Sequence, residues 1–226
     1  MTRTRQLDML FEQWLETYPK KQRPGFHRDG IVDEEKYELE SDRVLFVLLE
    51  PNSKDGLYDR FHGEDLRIVF REEKLKKELN VNLAIWTRAL LDRITEYIRP
   101  SVSTTEAQIR RIALLNLKKI SGSGKADYEA ISIHAWQDRE FIRKEVRIIS
   151  PTVVVTCGIS ANRLFRWVMK NNPYAEIPDK IWAHGGFRVL PANHPSLRPK
   201  NAQDALARLI QLARESRIAS FSQINV

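Results

Sequence analysis

Three short stretches of this chain gather side chains that could do chemistry. The first, Leu49-Glu-Pro-Asn-Ser-Lys-Asp-Gly56, supplies two carboxylates, Glu50 and Asp55, directly after an apolar run. The second, Leu114-Leu-Asn-Leu-Lys-Lys119, ends a run of the same kind on Asn116, whose amide donates and accepts hydrogen bonds at once. The third, Ala192-Asn-His-Pro-Ser-Leu-Arg198, carries His194, with Pro195 to shape the turn and the Ser196 hydroxyl beside it. A carboxylate, an amide and an imidazole are enough for acid–base work combined with hydrogen-bond recognition of a polar ligand. A second chemistry is open to the first stretch alone. Glu50, Asp55, Asp59 and His62 are donors of the type a Mg2+- or Mn2+-dependent phosphodiesterase uses, although they follow one another in one loop instead of converging from separate strands. Lys118, Lys119 and Lys125, near glycines and serines, suit a grip on phosphates.

These residues need a scaffold, and hydrophobic spacing outlines one. Leu7, Leu10, Phe11, Trp14, Leu15 and Tyr18 recur at helical intervals before Pro19 and Pro24. Residues 43–49, 112–117 and 152–157 are short apolar runs of the kind buried parallel strands show, and Ile181-Trp182 and Phe187–Leu190 flank a Gly185-Gly186 turn. Helical patterns fill the intervals: one from Leu83 to Ile94, a long one from about Tyr128 to Ile148, one after Gly158, and one from about Asn201 to Arg217. Strands alternating with helices imply a mostly parallel sheet covered on both faces. In such a sheet ligands bind at the carboxyl ends of the strands, where the strand order reverses. The loops beginning at Glu50, Asn116 and Asn193-His194 all fall at such ends. Trp14, Trp86, Trp136 and Trp167 sit at helical spacings among Leu and Ile and read as packing residues.

Composition removes several classes of function. The chain has 226 residues, which bounds it to one substantial core or two small ones. No apolar run approaches the roughly 18–20 residues that span a bilayer. The basic start, Met1-Thr-Arg-Thr-Arg-Gln, lacks the apolar segment of a signal peptide, so a cytoplasmic location is expected. One cysteine, Cys157, excludes an internal disulfide, an iron–sulfur cluster and an all-cysteine zinc site. Lys and Arg exceed Asp and Glu by a net +7, which favours a polyanionic partner without naming it.

In their order and spacing, with Ser150-Pro-Thr-Val-Val-Val-Thr-Cys-Gly158 between the last two, the three loops resemble the uracil-DNA glycosylase superfamily over about residues 43–215. The resemblance implies an α/β fold: a three-layer α/β/α domain around a central, mostly parallel four-stranded sheet. One domain then spans residues 1–226, with residues 1–42 as a helical extension and 43–217 as the core. It further implies a DNA partner, base flipping and hydrolysis of the bond between base and deoxyribose. No cofactor, resident metal, membrane or obligatory protein partner is expected.

The same resemblance distributes roles. A carboxylate beside the anomeric carbon stabilises the oxocarbenium-like sugar or orients water. Glu50 stands before the proline where some members carry aspartate, others asparagine or alanine, and Asp55 is the reserve. Asn116 takes the place of the asparagine that reads the flipped base. His194 begins the His-Pro-Ser motif, which donates to the O2 side of the leaving base. Ser53, Ser196, Arg198 and the three lysines contact the backbone, and Leu197 fills the gap in the stack. An aromatic to stack on the base comes from Tyr58, Phe61 or Phe70.

Two departures bear on substrate. The iron–sulfur branch needs four cysteines. The uracil-specific branch places a tyrosine two residues after its catalytic aspartate to block a 5-substituent, and Asn52 stands there in this chain. A smaller polar gate admits bulkier bases, such as the hydroxymethylated or glucosylated cytosines of some phage DNA, which points to antiviral defence; uracil repair is the other use. No lysine is marked for Schiff-base chemistry, so a monofunctional enzyme is expected. Two other readings stay open, a DNA-binding module of this fold that has lost its chemistry and the metal-dependent nuclease.

Overall fold

A computed structural model describes residues 1–51, 64–72, 78–122, 126–171 and 180–218. Among them the chain runs α1 (Arg3–Thr17), β1 (Gly30–Ile31), α2 (Glu34–Glu38), β2 (Val44–Leu48), α3 (Leu66–Glu72), α4 (Glu78–Thr87), α5 (Val102–Ile109), β3 (Ala113–Asn116), α6 (Tyr128–Gln137), α7 (Arg139–Ile149), β4 (Val153–Cys157), α8 (Ile159–Lys170), β5 (Trp182–His184), β6 (Phe187–Ala192) and α9 (Pro199–Ile218). The fold is α/β. Its sheet has the order β1-β3-β2-β4-β6-β5. β3, β2, β4 and β6 are parallel, while β1 and β5 pair antiparallel at the two edges. Among the described residues the sheet is therefore six-stranded and mixed, not the four-stranded one expected. β1, at two residues, is too short for a period-two signal, and β5 joins β6 through the glycine turn read from the sequence.

Both faces of the sheet are covered, which is why the central strands are continuously apolar. All five residues of β2 are buried. Leu45 and Val47 enter a cluster with Leu7, Phe11 and Trp14 of α1, Ile131 of α6, Val146 of α7 and Phe165 of α8. Val44, Phe46 and Leu48 enter the opposite cluster with Trp86 of α4, Ile109 of α5 and Leu209 of α9. Successive strand residues thus serve alternate layers. Helix α1, expected as part of an extension, contributes the fully buried Leu7, Phe11 and Trp14 to the first cluster, and β1 extends the sheet.

Two helical spans divide differently from expectation. The pattern from Tyr128 to Ile148 is two helices, because Asp138 has φ −90°, ψ 4° and its buried carboxylate accepts a hydrogen bond from the Tyr18 hydroxyl. The pattern from Leu83 to Ile94 is α4 followed by a π-helical turn, Arg88–Asp92, that ends on left-handed Arg93. Trp14 and Trp86 are fully buried, whereas Trp136 and Trp167 stack on each other at 4.8 Å and are half-buried. Among the described residues no helix is long and apolar enough to cross a membrane.

Candidate functional site

Numbered among themselves in chain order, the four parallel strands lie 2-1-3-4 across the sheet, so the order reverses between β2 and β4. The switch-point rule places a ligand at the carboxyl ends of these two strands. Glu50 leaves β2 there, Gly158 leaves β4, Asn116 ends neighbouring β3, and His194 follows β6 on the other side. Register brings these ends level: Leu48 pairs with Asn116, and Cys157 with Ala192.

Beyond the sheet, the chain after β3 continues beside the chain after β2. Leu117 N–H donates to Leu48 O at 3.0 Å, Lys118 N–H to Leu49 O at 2.9 Å and Gly122 N–H to Pro51 O at 3.0 Å. This segment walls in Glu50. The Lys118 ammonium lies 2.6 Å from Glu50 Oε2, and the two side chains are 8% and 9% exposed for Glu50 and Lys118 respectively. Gly122 closes the wall: a Cβ there would stand 2.2 Å from Glu50 Oε1 and 2.6 Å from Oε2. Gly122 thus leaves room for the carboxylate at this position, a matter of close approach and not of its own backbone angles. His134 of α6 stacks on Tyr18 at 6.0 Å; burial lowers its pKa, Asp138 opposes that, and the Lys118 charge and Glu50 act on it more weakly with opposite signs.

Asn116 is 3% exposed and held by a residue the sequence did not mark. Asp29 Oδ2 accepts from the Asn116 backbone N–H at 2.6 Å and from its Nδ2 at 3.1 Å. Lys119 is a correction. Expected to grip phosphate, it is fully buried, with Nζ 2.5 Å from Asp29 Oδ1 and 2.8 Å from Glu145 Oε2. Its ammonium also sits 5.0 Å and 5.5 Å from the ring centroids of Trp14 and Phe11. The approach to Glu145 is an ion pair by distance but lacks hydrogen-bond alignment. Two carboxylates share one ammonium here, and burial followed by the Asp29 charge raises the Glu145 pKa well above its usual range. Lys119's own pKa is raised by Asp29 and Glu145 against the desolvation that opposes it. Next to this cluster His27 Nε2 lies 2.5 Å from Ser121 Oγ, and burial lowers the His27 pKa despite Asp29 nearby.

His194 rides on a loop fixed from behind. Asn82 of α4, fully buried, donates through Nδ2 to Pro195 O at 2.6 Å and Leu197 O at 2.9 Å, while its Oδ1 accepts from Tyr97 OH at 3.2 Å. Gly158, at φ +101°, donates its N–H to Ala192 O at 2.8 Å, and a Cβ on it would be 3.9 Å from the His194 Cβ. Ser196 N–H donates to His194 Nδ1 at 3.2 Å, so the neutral ring carries its proton on Nε2. The residue is exposed, yet the protein packed around the ring lowers its pKa through desolvation.

The remaining expected site residues fall into two groups. Ser196 and Arg198 are exposed on this loop, and Leu197 is half-buried against the second core cluster. Phe70 is also half-buried there. Asn52, Ser53, Asp55, Tyr58, Phe61 and Lys125, with Asp59 and His62, lie outside the described residues. Among the described residues no group of three or more His, Cys, Asp or Glu could hold a metal ion.

Sequence reasoning passed over Asp29, Glu145, Asn82 and Gly122. One signal was present: Lys119 continues the period-two series Leu115, Leu117 and so points to the same interior. Neither a protein-family model nor a curated protein matches this chain.

Proposed function

We propose that this protein is a DNA glycosylase of the uracil-DNA glycosylase type that hydrolyses the bond between a modified base and its deoxyribose. The observation that carries the reading is the placement of Glu50, Asn116 and His194 at the carboxyl ends of three parallel strands around one switch point, in a 2-1-3-4 arrangement. In this reading the flipped base meets Asn116, whose amide matches a pyrimidine's pairing edge. His194 offers Nε2–H, the donor left by the Ser196 hydrogen bond to Nδ1, to the oxygen where negative charge develops as the base leaves. Glu50 supplies the carboxylate beside the sugar, held in place by Lys118 and Gly122. Water completes the hydrolysis, and Ser196 and Arg198 contact the phosphates. The preferred substrate is a cytosine bulky at C5, on the strength of Asn52 at the gate position; uracil is the competitor.

The test uses purified protein in EDTA with oligonucleotides carrying uracil, 5-hydroxymethylcytosine or its glucosylated form, and mass spectrometry for released base. Alkali then reveals abasic sites. Release that is lost in folded Asn116→Ala and His194→Ala proteins supports the reading and names the substrate. Strand breaks that need Mg2+ or Mn2+ and pass through no abasic site would establish the nuclease instead. A DNA-binding module is the second reading, favoured by one observation: the Glu50 carboxylate is already engaged by Lys118. It predicts tight binding with every base intact.

A further inference from the structure

Resting on the glycosylase reading, we infer that Asp29 is a positioning residue that sets which way the Asn116 amide faces and thereby restricts the site to one of two pyrimidine classes. A single oxygen, Asp29 Oδ2, receives both the backbone N–H and the Nδ2 of Asn116, at 2.6 and 3.1 Å. A carboxylate oxygen only accepts, so the nitrogen end of the amide must face it; turning the amide end for end would set two acceptors against each other. Among the described residues nothing else hydrogen-bonds the Asn116 side chain, so Oδ1 and the second N–H remain for a ligand, in one fixed order.

That order matters because pyrimidine edges come in two opposite patterns. A cytosine-type edge presents an amino donor beside a ring-nitrogen acceptor; a uracil-type edge presents a carbonyl acceptor beside a ring N–H. A free amide matches either by a half turn, whereas a locked one matches only one in a given pose. The lock is anchored deep in the fold. Asp29 is 1% exposed, and its other oxygen is 2.5 Å from the fully buried Lys119 Nζ. Lys119 in turn is framed by Glu145 of α7 and by Phe11 and Trp14 of α1. Residues distant in sequence therefore fix the orientation of one amide at the end of β3.

Two variants of the full chain test this. Asp29→Ala removes the acceptor and leaves Glu145 to pair with Lys119. Asp29→Asn keeps the volume, but an amide can turn its own NH2 toward Asn116. The first readout is the ratio of base-release rates from matched cytosine-type and uracil-type oligonucleotides. The wild type is expected to favour one class by about 100-fold or more. Each folded variant should bring that ratio down by about tenfold or more, the scale of losing a hydrogen bond to a charged partner. A fall in thermal stability with an unchanged ratio means a structural role only and overturns the inference.

The second readout needs no activity. In 15N-labelled protein the Asn116 side-chain NH2 signals, assigned by their loss in Asn116→Asp, should show a slowly exchanging proton in the wild type and fast exchange in Asp29→Asn. Unchanged exchange overturns the lock itself. If the wild type releases no base from any substrate, the glycosylase reading and the specificity role fall together, while the exchange measurement still decides whether Asp29 holds the amide.

Discussion

A methyl group placed on Gly122 probes the candidate catalytic carboxylate without touching it chemically. In Gly122→Ala the new Cβ would lie 2.2 Å from Glu50 Oε1, 2.4 Å from Cδ and 2.6 Å from Oε2. Ordinary contact needs more than 3 Å, so the carboxylate must retreat by about 1 Å, a displacement that can lower catalysis by about 100-fold when the group acts on the reacting centre. The cost to folding is smaller. The displaced atoms end a flexible side chain, and Gly122 does not have a positive φ, so alanine's reduced unfolded-state entropy returns about 0.4–1 kcal/mol. Weakening the Glu50–Lys118 pair, whose side chains are nearly buried, costs about 1–3 kcal/mol. The net change is about 0–3 kcal/mol of destabilisation with a disproportionate loss of rate. The assay pairs single-turnover base release on the best substrate with urea unfolding. Adding Glu50→Gln to Gly122→Ala should then reduce the rate little further, since both changes remove the same function. Release within twofold of wild type in folded Gly122→Ala protein would refute the placement of Glu50 at the reacting sugar.

Three other outcomes follow from the geometry. Asn82→Ala leaves the Pro195 and Leu197 carbonyls without their buried donor; we expect about 2 kcal/mol lower stability in urea and a release defect larger than the stability change explains. Lys119→Met strands the Asp29 charge in the core and should cost about 3–5 kcal/mol, whereas adding Asp29→Asn and Glu145→Gln should recover most of it; full stability of the single variant in urea would contradict the buried ion cluster. Burial raises the pKa of Cys157, so the unfolded thiol ionises first, near its ordinary value of about 9. Stability is then fully present below that pH and falls as pH rises above it, by up to about 1.4 kcal/mol per pH unit for this group, and Cys157→Ala should remove that part of the loss in urea titrations at pH 8–10.5.

Much of the frame was legible in the chain because burial on two faces leaves a one-dimensional trace. Runs at 43–49, 112–117 and 152–157 are apolar throughout since helices cover both sides of the sheet, and β2, β3 and β4 fall within them. The loops beginning at Glu50, Asn116 and Asn193 were legible as strand ends for the same reason. Other features left no such trace. The break at Asp138 depends on a tyrosine 120 residues away, and the two-residue β1 exists only because β3 offers it an edge.

The sequence by itself determined the alternation of strands and helices and the residue types at the strand ends, because local periodicity and turn chemistry act between near neighbours. Only the tertiary structure decided what those residues do for one another. Lys118 and Lys119 are adjacent in the chain and alike in chemistry, yet one pairs with Glu50 at the candidate site and the other is sealed in the core between Asp29 and Glu145. A buried charge is tolerable only where an opposite charge meets it, and here the partners lie up to 90 residues away, brought into range by the packing of α1 and α7 on β1, which pairs with β3. Asn82 holding the His194 loop and Asp29 holding Asn116 have the same origin. Each is a polar contact made across the core by residues whose spacing along the chain carries no sign of it.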